Sequence, residues 1–285
     1  MKKIRRRVQT ATSVAGQTEL QSGHHEKRTV RQSVVAAAPF AISPYLGRIG
    51  YKGPQTPSHS VLRELHSRHL YTVLFENLDI HLGRPIECDA SLFYEKIVVR
   101  GRGGFCYELN GLFAELLSAL GFEVSLLSGR VPSPGGELGP DFDHMALLVT
   151  ADGERMLADV GFGDCFLHPL RIDSREPQSD PAGVFRLERQ DDSWSLLRDD
   201  KLEYVFSLTP RELSEFAPMC HYQQTSPDSP FTKKRVCSRA TADGRITVMH
   251  DRIIDTRNGV RTELPLGDDA EWRAALRTHF GFELN

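Results

Sequence analysis

Apolar residues recur at helical spacing through the first part of the sequence. The strongest segment has apolar positions at offsets 0, 3, 4, 7, 8 and 11, namely Leu109, Leu112, Phe113, Leu116, Leu117 and Leu120. These positions form one face of an α-helix, and Gly121 is placed to end it. Earlier helices are predicted after Ser43-Pro44, after Thr56-Pro57 and at Asp89, because each site offers a capping residue or a first-turn proline.

Beyond Gly121 the pattern changes to short apolar runs that are separated by turn residues. These runs cover residues 124–131, 145–150, 156–160, 184–187, 194–197 and 202–208. Such segments predict a mostly antiparallel sheet or barrel. The tail mixes strands at 235–238 and 245–249 with a closing helix after Asp268-Asp269. The order of elements therefore predicts an α+β protein.

The N-terminal segment differs from the rest in charge and pattern. Residues 1–33 contain eight Lys and Arg against two Glu, which is a formal charge of +6. Because the whole chain has a net charge of −3, the remaining residues carry −9. We expect residues 1–42 to be a disordered basic extension or a start-site artefact, with a targeting segment or basic anchor as the alternative. The acidic body argues against a nucleic-acid partner. The absence of long apolar runs predicts no membrane span.

The spacing of the cysteines and histidines argues against the disulfide-rich and metal-binding classes of protein. The five cysteines are an odd number without CxxC spacing, which argues against a disulfide framework and a structural zinc site. Reduced thiols in a cytoplasmic protein are the expectation. His66 and His69 lie three residues apart on a predicted helix, but no third ligand accompanies them, so no metal is expected.

Cys106 is the first candidate for chemistry. It falls in the first turn of the strongest helix, directly after Gly103-Gly104-Phe105. A helix N-terminus stabilises negative charge, so the position favours a nucleophilic thiolate with a lowered pKa. The alternative is that Cys106 is a small buried apolar residue three positions before Leu109.

His144 and Asp159 are candidates for a base and its orienting partner. Asp152-Gly153 predicts a two-residue hairpin turn, in which Ala151 pairs with Glu154. Continued pairing places His144 and Asp159 on one face as diagonal neighbours, about 7–8 Å apart at the backbone. A one-residue bulge would separate them, and a surface His beside a turn-capping Asp is the alternative. Together with Cys106 they would form a nucleophile, a base and an orienter.

Several ordered segments carry a resemblance to a known family. They are residues 75–79 (Phe-Glu-Asn-Leu-Asp), 102–113 (Arg-Gly-Gly-Phe-Cys-Tyr-Glu-Leu-Asn-Gly-Leu-Phe), 143–145 (Asp-His-Met), 159–163 (Asp-Val-Gly-Phe-Gly) and 280–284 (Phe-Gly-Phe-Glu-Leu). In this order they resemble the arylamine N-acetyltransferases, from about Ser43 to Asn285. Leu74 departs from the family, whose members commonly have proline there, and Cys165 is an additional thiol that we interpret as structural.

The resemblance implies a fold and a domain order. A helical bundle over residues 43–128 would carry the nucleophile, and an antiparallel β-barrel over 129–228 would carry the His and the Asp. An α/β lid over 229–285 would follow. The resemblance also implies that Cys106, His144 and Asp159 form a triad of cysteine-protease-like geometry that serves acyl transfer.

The resemblance implies an activity and its partners as well. Acetyl-CoA would acetylate Cys106, and an arylamine, arylhydroxylamine or arylhydrazine would then take the acetyl group in a ping-pong mechanism. The Cys106 main-chain N–H is the candidate oxyanion donor. The protein would be a cytoplasmic monomer or homodimer. The alternatives are an amide synthase with another acyl donor, a thiol hydrolase, and a non-catalytic binding protein of the same fold.

Further site residues follow from the same resemblance. Phe75, Tyr107 and Phe162 would line an aromatic acceptor pocket, with core packing as the alternative. Arg102 and Glu108 would form a supporting pair behind the nucleophile, with a surface ion pair as the alternative. The loop over residues 132–142 matches the region that approaches CoA in relatives, and a plain connecting loop is the alternative. The candidate CoA contacts are Val131, Pro134 and Gly139.

Overall fold

The computed structural model describes residues 40–281 and residue 283. The prediction of a disordered basic extension therefore falls almost entirely outside the described residues. Residues 40–42 belong to the folded part, because the Phe40 ring packs edge-on against Tyr45 and Tyr94, and Ile42 begins the first helix. No helix in the described range is long and apolar enough to cross a membrane.

Between residue 40 and the barrel, the structure has five α-helices. They are α1 (Ile42–Arg48), α2 (His59–Thr72), α3 (Leu78–His81), α4 (Ala90–Tyr94), which continues into a π-helical turn (Glu95–Val99), and α5 (Cys106–Ala119). Asp89 caps α4 as predicted, whereas α1 begins before Ser43 and α2 is capped by Ser58 rather than Thr56. α5 is buried on almost every side, and Gly121 follows it with a positive φ of 91°. It is therefore the central helix of the largest core cluster.

Eight antiparallel strands form the barrel. In spatial order they are β5 (Leu170–Arg171), β4 (Glu154–Ala158), β3 (His144–Ala151), β2 (Glu123–Arg130), β9 (Lys201–Ser207), β8 (Ser193–Arg198), β7 (Gly183–Gln190) and β6 (Gln178–Asp180). The predicted domain boundary at residue 129 thus falls inside β2. The barrel encloses a second apolar cluster that includes Phe166, Phe185 and Tyr204.

The two end strands of this sheet come together and nearly close the barrel. The side-chain amide of Gln178 on β6 accepts the Arg171 N–H at 2.8 Å and donates to the Arg171 carbonyl at 3.0 Å. Asp180, also on β6, accepts the main-chain N–H groups of Leu167 and His168. Side chains therefore take the place of ladder hydrogen bonds at the seam between these two strands.

The C-terminal part begins with a 3₁₀ turn (Leu213–Phe216), α6 (Ala217–Thr225) and α7 (Pro230–Lys233). A five-stranded antiparallel sheet follows in the order β1 (Phe75–Glu76), β10 (Val236–Thr241), β11 (Gly244–Met249), β12 (Arg252–Arg257) and β13 (Val260–Pro265). α8 (Asp269–Phe280), capped by Asp268, packs on this sheet. β1 comes from the helical region, so the first and last parts of the described chain share one sheet.

Candidate active site

Two glycines set the position of Cys106 at the start of α5. A Cβ on Gly103 would lie only 2.1 Å from the Leu74 carbonyl oxygen, so the main chains pass too closely for any side chain. The Gly104 N–H donates to the Leu74 carbonyl, and the Gly104 carbonyl accepts the Glu76 N–H. Cys106 is the first residue of α5 and is 4% exposed. The lead-in loop is thus locked to β1, and the thiol is held at a helix N-terminus.

The hairpin register predicted for His144 and Asp159 is confirmed. Ala151 pairs with Glu154, and the ladder continues to the pair of Leu147 and Ala158 without a bulge. Asp152 and Gly153 both have positive φ, as a type I′ turn requires. His144 Nε2 lies 2.7 Å from Asp159 Oδ2, and both side chains are buried.

Asn110 joins this hairpin to the helix that carries Cys106. Its Nδ2 donates to Asp159 Oδ1 at 2.8 Å and to the Met145 carbonyl, and its Oδ1 accepts the Val160 N–H at 2.8 Å. Asn110 lies one helical turn after Cys106 and is fully buried. Asn110 was not predicted as a site residue. The available signal was an amide four residues after Cys106 on a largely apolar helix.

Gly161 allows the Asp159 loop to touch the helix. A Cβ at this position would lie 2.9 Å from Cys106 Cα and 2.7 Å from Asn110 Nδ2. Real Cβ atoms do not approach other atoms so closely in packed interiors. Its N–H also donates to Asp159 Oδ1 at 2.9 Å. The loop and the start of α5 are therefore in direct main-chain contact.

The burial of the site determines its charge states. Burial opposes ionisation of Asp159, but His144, Asn110 and the Gly161 N–H favour the carboxylate more, so the pKa of Asp159 lies below its ordinary value. Burial raises the pKa of the Cys106 thiol well above its ordinary value, and the charges of Asp143 and Asp159 act in the same direction. The expected lowering of the Cys106 pKa is therefore wrong for the resting site, because desolvation outweighs the helix terminus.

The burial of Cys106 limits the ways in which its thiol could ionise. A lone thiolate is disfavoured in so buried a place, whereas a thiolate that faces an imidazolium is compensated. The negative charge of Asp159 would stabilise that imidazolium and hold the ring through Nε2. The main-chain groups of Met145 and Tyr107 act against burial and lower the pKa of Cys106 in part.

Cys106 and His144 open onto a cavity of about 560 Å³. Of the residues predicted to bind substrates, five line this cavity: Phe75, Val131, Pro134, Gly139 and Phe162. Other lining residues were not anticipated, among them Asp143, Gln223, Phe231, Lys233 and Lys234. The Phe231 ring lies 6.3 Å from that of Phe75, so aromatic surfaces from β1 and α7 face the same space.

Tyr107 lies elsewhere. Its ring is completely buried between Phe105 and Phe216, and its hydroxyl donates to the Phe142 carbonyl at 2.8 Å and to that of Asp143 at 3.3 Å. It is not among the residues that line the cavity. As the second residue of α5, Tyr107 points into the core behind Cys106 rather than toward the cavity. The placement predicted for Tyr107 is corrected accordingly.

Arg102 and Glu108 belong to a larger buried cluster than the predicted pair. Arg102 donates to Glu76 at 2.7 Å and to Asp79 at 3.2 Å, while Glu108 accepts from Lys96 at 2.8 Å. Lys96 also lies 2.9 Å from Asp79, so it bridges the two halves.

The cluster has shifted charge states and reaches the nucleophile helix. Burial raises the pKa of Glu108 to about 7 in spite of Lys96. Three carboxylates outweigh desolvation and hold the pKa of Lys96 above its ordinary value. Glu108 Oε2 also accepts the Phe105 N–H at 3.1 Å and thereby caps α5 just before Cys106.

Cys165, His66 and His69, the other thiol and the two histidines considered above, all lie in the protein interior. Cys165 is buried, and burial raises the pKa of its thiol well above the ordinary value. His66 and His69 are completely buried on α2. Among residues 40–281 and 283, no group of three or more His, Cys, Asp or Glu side chains is arranged to hold a metal ion.

Known proteins resemble this chain in sequence and in fold. A family model described as N-acetyltransferase matches residues 59–285. An arylamine N-acetyltransferase of Escherichia coli (strain K12) is 34% identical over 247 residues, which are 84% of this chain and 88% of that protein. The chain belongs to the arylamine N-acetyltransferase family.

Solved structures of this family confirm the predicted α+β fold class. The Mycobacterium smegmatis arylamine N-acetyltransferase aligns with a TM-score of 0.80 and 31% identity, over 86% of this chain and 93% of that one. The Mycobacterium marinum arylamine N-acetyltransferase in complex with CoA aligns with a TM-score of 0.79 and 32% identity, over 85% of this chain and 92% of that one.

Proposed function

We propose that this protein transfers the acetyl group of acetyl-CoA to arylamines, arylhydroxylamines and arylhydrazines through an acetylated Cys106. One observation carries the proposal. A buried cysteine and a carboxylate-bound histidine open onto the same aromatic cavity, in a chain of the arylamine N-acetyltransferase family.

The first half-reaction uses His144 as a base. As acetyl-CoA enters, His144 takes the Cys106 proton, and the sulfur attacks the thioester carbonyl carbon. The developing oxyanion would face the Cys106 N–H at the start of α5. The carbon–sulfur bond to CoA then breaks, and His144 returns the proton to the departing CoA thiol. The product is an acetyl-cysteine thioester, which costs little free energy to form from another thioester.

The second half-reaction delivers the acetyl group to nitrogen. The amine attacks the acetyl carbonyl carbon, and His144 takes the proton that the nitrogen loses. Collapse of the tetrahedral intermediate breaks the bond to Cys106, and the thiol recovers the proton from His144. Because an amide is more stable than a thioester, this step draws the sequence to completion. Asp159 orients His144 throughout.

The composition of the cavity supports both substrates. Phe75, Phe162 and Phe231 offer aromatic surface against which an aryl ring would stack. Val131, Pro134 and Gly139 present a stretch of main chain to the CoA arm, and the exposed Lys233 and Lys234 offer cations for its phosphates. The structure of the Mycobacterium marinum relative in complex with CoA adds support for this co-substrate.

The cellular setting remains a prediction. We place the protein in the cytoplasm as a monomer or homodimer. All five cysteines are free thiols, which supports a reducing compartment.

The proposal is tested by following acetyl-CoA consumption with and without an aromatic amine or hydrazine. We expect acetylated amine in stoichiometric amount, and a mass increase of one acetyl group on the Cys106 peptide when acetyl-CoA is added alone. Cys106→Ala should abolish both signals, and Cys165→Ala, an equally buried thiol, should retain them.

Three outcomes would contradict the proposal. Undiminished turnover by Cys106→Ala would exclude the mechanism. Full-rate acetate release without any amine would indicate a thiol hydrolase. Absence of acetyl-Cys106 with acetyl-CoA would indicate another acyl donor or a non-catalytic protein.

A further inference from the structure

His66 contacts the main chain of a triad residue from the opposite side of the site. On α2, its Nε2 accepts the Asp159 main-chain N–H at 3.0 Å, and its Nδ1 lies 2.9 Å from the Leu167 carbonyl oxygen. Since the first partner is a donor and the second an acceptor, the proton must reside on Nδ1. The tautomer of His66 is therefore set by its two partners.

Aromatic packing holds the His66 ring in this orientation. The ring stacks on Phe166 with centroids 5.6 Å apart and an interplanar angle of 11°. Phe113 of α5 meets it edge-on at 6.1 Å. His66 is also completely buried. A rigid acceptor is thus presented to Asp159.

His66 stays neutral in this environment. Burial lowers the pKa of His66 to about 4. The Leu167 carbonyl and the charges of Asp159 and Asp180 favour the cation and raise this pKa in part, whereas His168 lowers it. His69, one turn along α2, is also buried, and its pKa is lowered too. A neutral imidazole remains able to accept the Asp159 N–H across the neutral pH range.

Asp159 is held at two independent points. Asn110 and the Gly161 N–H bind its carboxylate, whereas His66 binds its main chain. The ladder of β3 and β4 ends at Ala158, so it contributes no main-chain bond at Asp159 itself. We infer that His66 is a positioning residue for acyl transfer: it fixes the Asp159 main chain so that the carboxylate stays directed at His144. This inference rests on the proposed function.

The test compares side chains of similar length with and without an acceptor. His66→Gln offers an amide oxygen to the Asp159 N–H, and Ser67 still donates to the Leu167 carbonyl at 3.0 Å. His66→Met fills similar volume without an acceptor. His69→Met is the matched control, because His69 is equally buried on the same helix and neither ring nitrogen has a hydrogen-bond partner in the described part of the chain.

Two readouts report the position of Asp159 rather than stability alone. The first is the pH dependence of iodoacetamide alkylation, followed on the Cys106 peptide by mass spectrometry. The second is the separation of kcat from the KM for acetyl-CoA. For His66→Met we expect alkylation at neutral pH and kcat to fall by about tenfold or more, since small displacements of catalytic groups have such effects. KM should stay within about twofold, because the cavity is untouched.

The controls decide between positioning and packing. His66→Gln and His69→Met should stay within about threefold of the wild type in both readouts. An unchanged His66→Met, or an equal loss in His69→Met, would overturn the inference. If His66→Met does not fold, His66→Asn replaces it, since its shorter amide reaches the Leu167 carbonyl but not the Asp159 N–H. A His66→Asn variant as active as the wild type would also overturn it.

The alkylation readout separates this inference from the proposed function. A wild-type protein that acetylates no amine, yet whose Cys106 reactivity depends on His66, would refute the proposed function alone. An active wild type with His66→Met indistinguishable from it would refute the positioning role alone.

Discussion

The side-chain amide of Asn110, one helical turn after Cys106, lies 2.8 Å from the carboxylate of Asp159. Together with the bonds of Asn110 to Val160 and Met145, this contact joins the helix that carries Cys106 to the region that carries His144 and Asp159. The same amide also hydrogen-bonds with the Val160 N–H and the Met145 carbonyl. Two main-chain groups and one carboxylate therefore depend on one side chain. Catalytic geometry and core stability are therefore coupled at Asn110.

Asn110→Ala should lose both activity and stability. It leaves the buried Val160 N–H and Met145 carbonyl without their partner, which should lower the free energy of unfolding by about 2–4 kcal/mol. Amine acetylation should fall by about 10-fold to 100-fold as Asp159 loses its anchor. Urea unfolding and steady-state kinetics measure the two effects. Glu115→Ala, on the exposed face of the same helix, should change neither, and a fully active Asn110→Ala would contradict the coupling.

Gly161→Ala should push the Asp159 loop away from α5. The new methyl group would meet Cys106 Cα at 2.9 Å, so overpacking should cost about 1–3 kcal/mol and reduce acetyl transfer by about tenfold or more. Thermal unfolding and the rate of Cys106 acetylation test this. Gly47→Ala, in α1, is the control, because its methyl group would meet no atom within 4 Å. Equal behaviour of the two variants would show that the close contact is unimportant.

Lys96→Met should strongly destabilise the fold. It leaves the buried carboxylates of Glu76, Asp79 and Glu108 with too little positive charge, and breaking one side of a buried ion cluster costs about 3–5 kcal/mol. Arg100→Met removes an exposed pair with Glu95 and should cost less than about 1 kcal/mol. Denaturant unfolding of both variants provides the comparison. A loss below about 1 kcal/mol for Lys96→Met would contradict the cluster's structural role.

The depressed pKa of His66 predicts a loss of stability in acid. The pKa of His66 is 6.5 in the unfolded chain and about 4 in the folded protein. The contribution of neutral His66 to the free energy of unfolding is therefore complete above pH 6.5 and is lost as the pH falls toward 4. The full window corresponds to about 3 kcal/mol. Urea unfolding at several pH values should therefore show that the free energy of unfolding falls less steeply in acid for His66→Gln than for the wild type. An unchanged slope would contradict the assignment.

Tyr107→Phe tests the corrected position of this residue. Loss of the hydroxyl leaves the Phe142 and Asp143 carbonyls without a donor, which should lower the free energy of unfolding by about 1–2 kcal/mol. The KM for the aromatic acceptor should stay within about twofold, because the ring is outside the cavity. A large rise in this KM with unchanged stability would instead support the cavity-lining role that the family resemblance implies.

Local patterns were enough to predict the parts of the site that depend on neighbouring residues. The apolar periodicity of residues 109–120 predicted α5, because helical spacing repeats every few residues. The Asp152-Gly153 turn predicted the β3–β4 register, and the period of two along a strand then placed His144 and Asp159 on one face. The strands β12 and β13 were missed: β13 is exposed throughout and has no buried face to impose an alternation.

The sequence by itself thus determined the central helix, the hairpin and, through ordered family motifs, the family and fold class. Only the tertiary structure decided what joins them. Asn110 and His66 contact the Asp159 loop, and Gly161 of this loop contacts Cys106. These contacts link segments far apart in the chain, and no local period encodes such pairings. The raised pKa of Cys106 and the placement of Tyr107 also follow from burial among distant elements. Desolvation depends on everything that packs around a group, so it emerges only when the whole core is assembled.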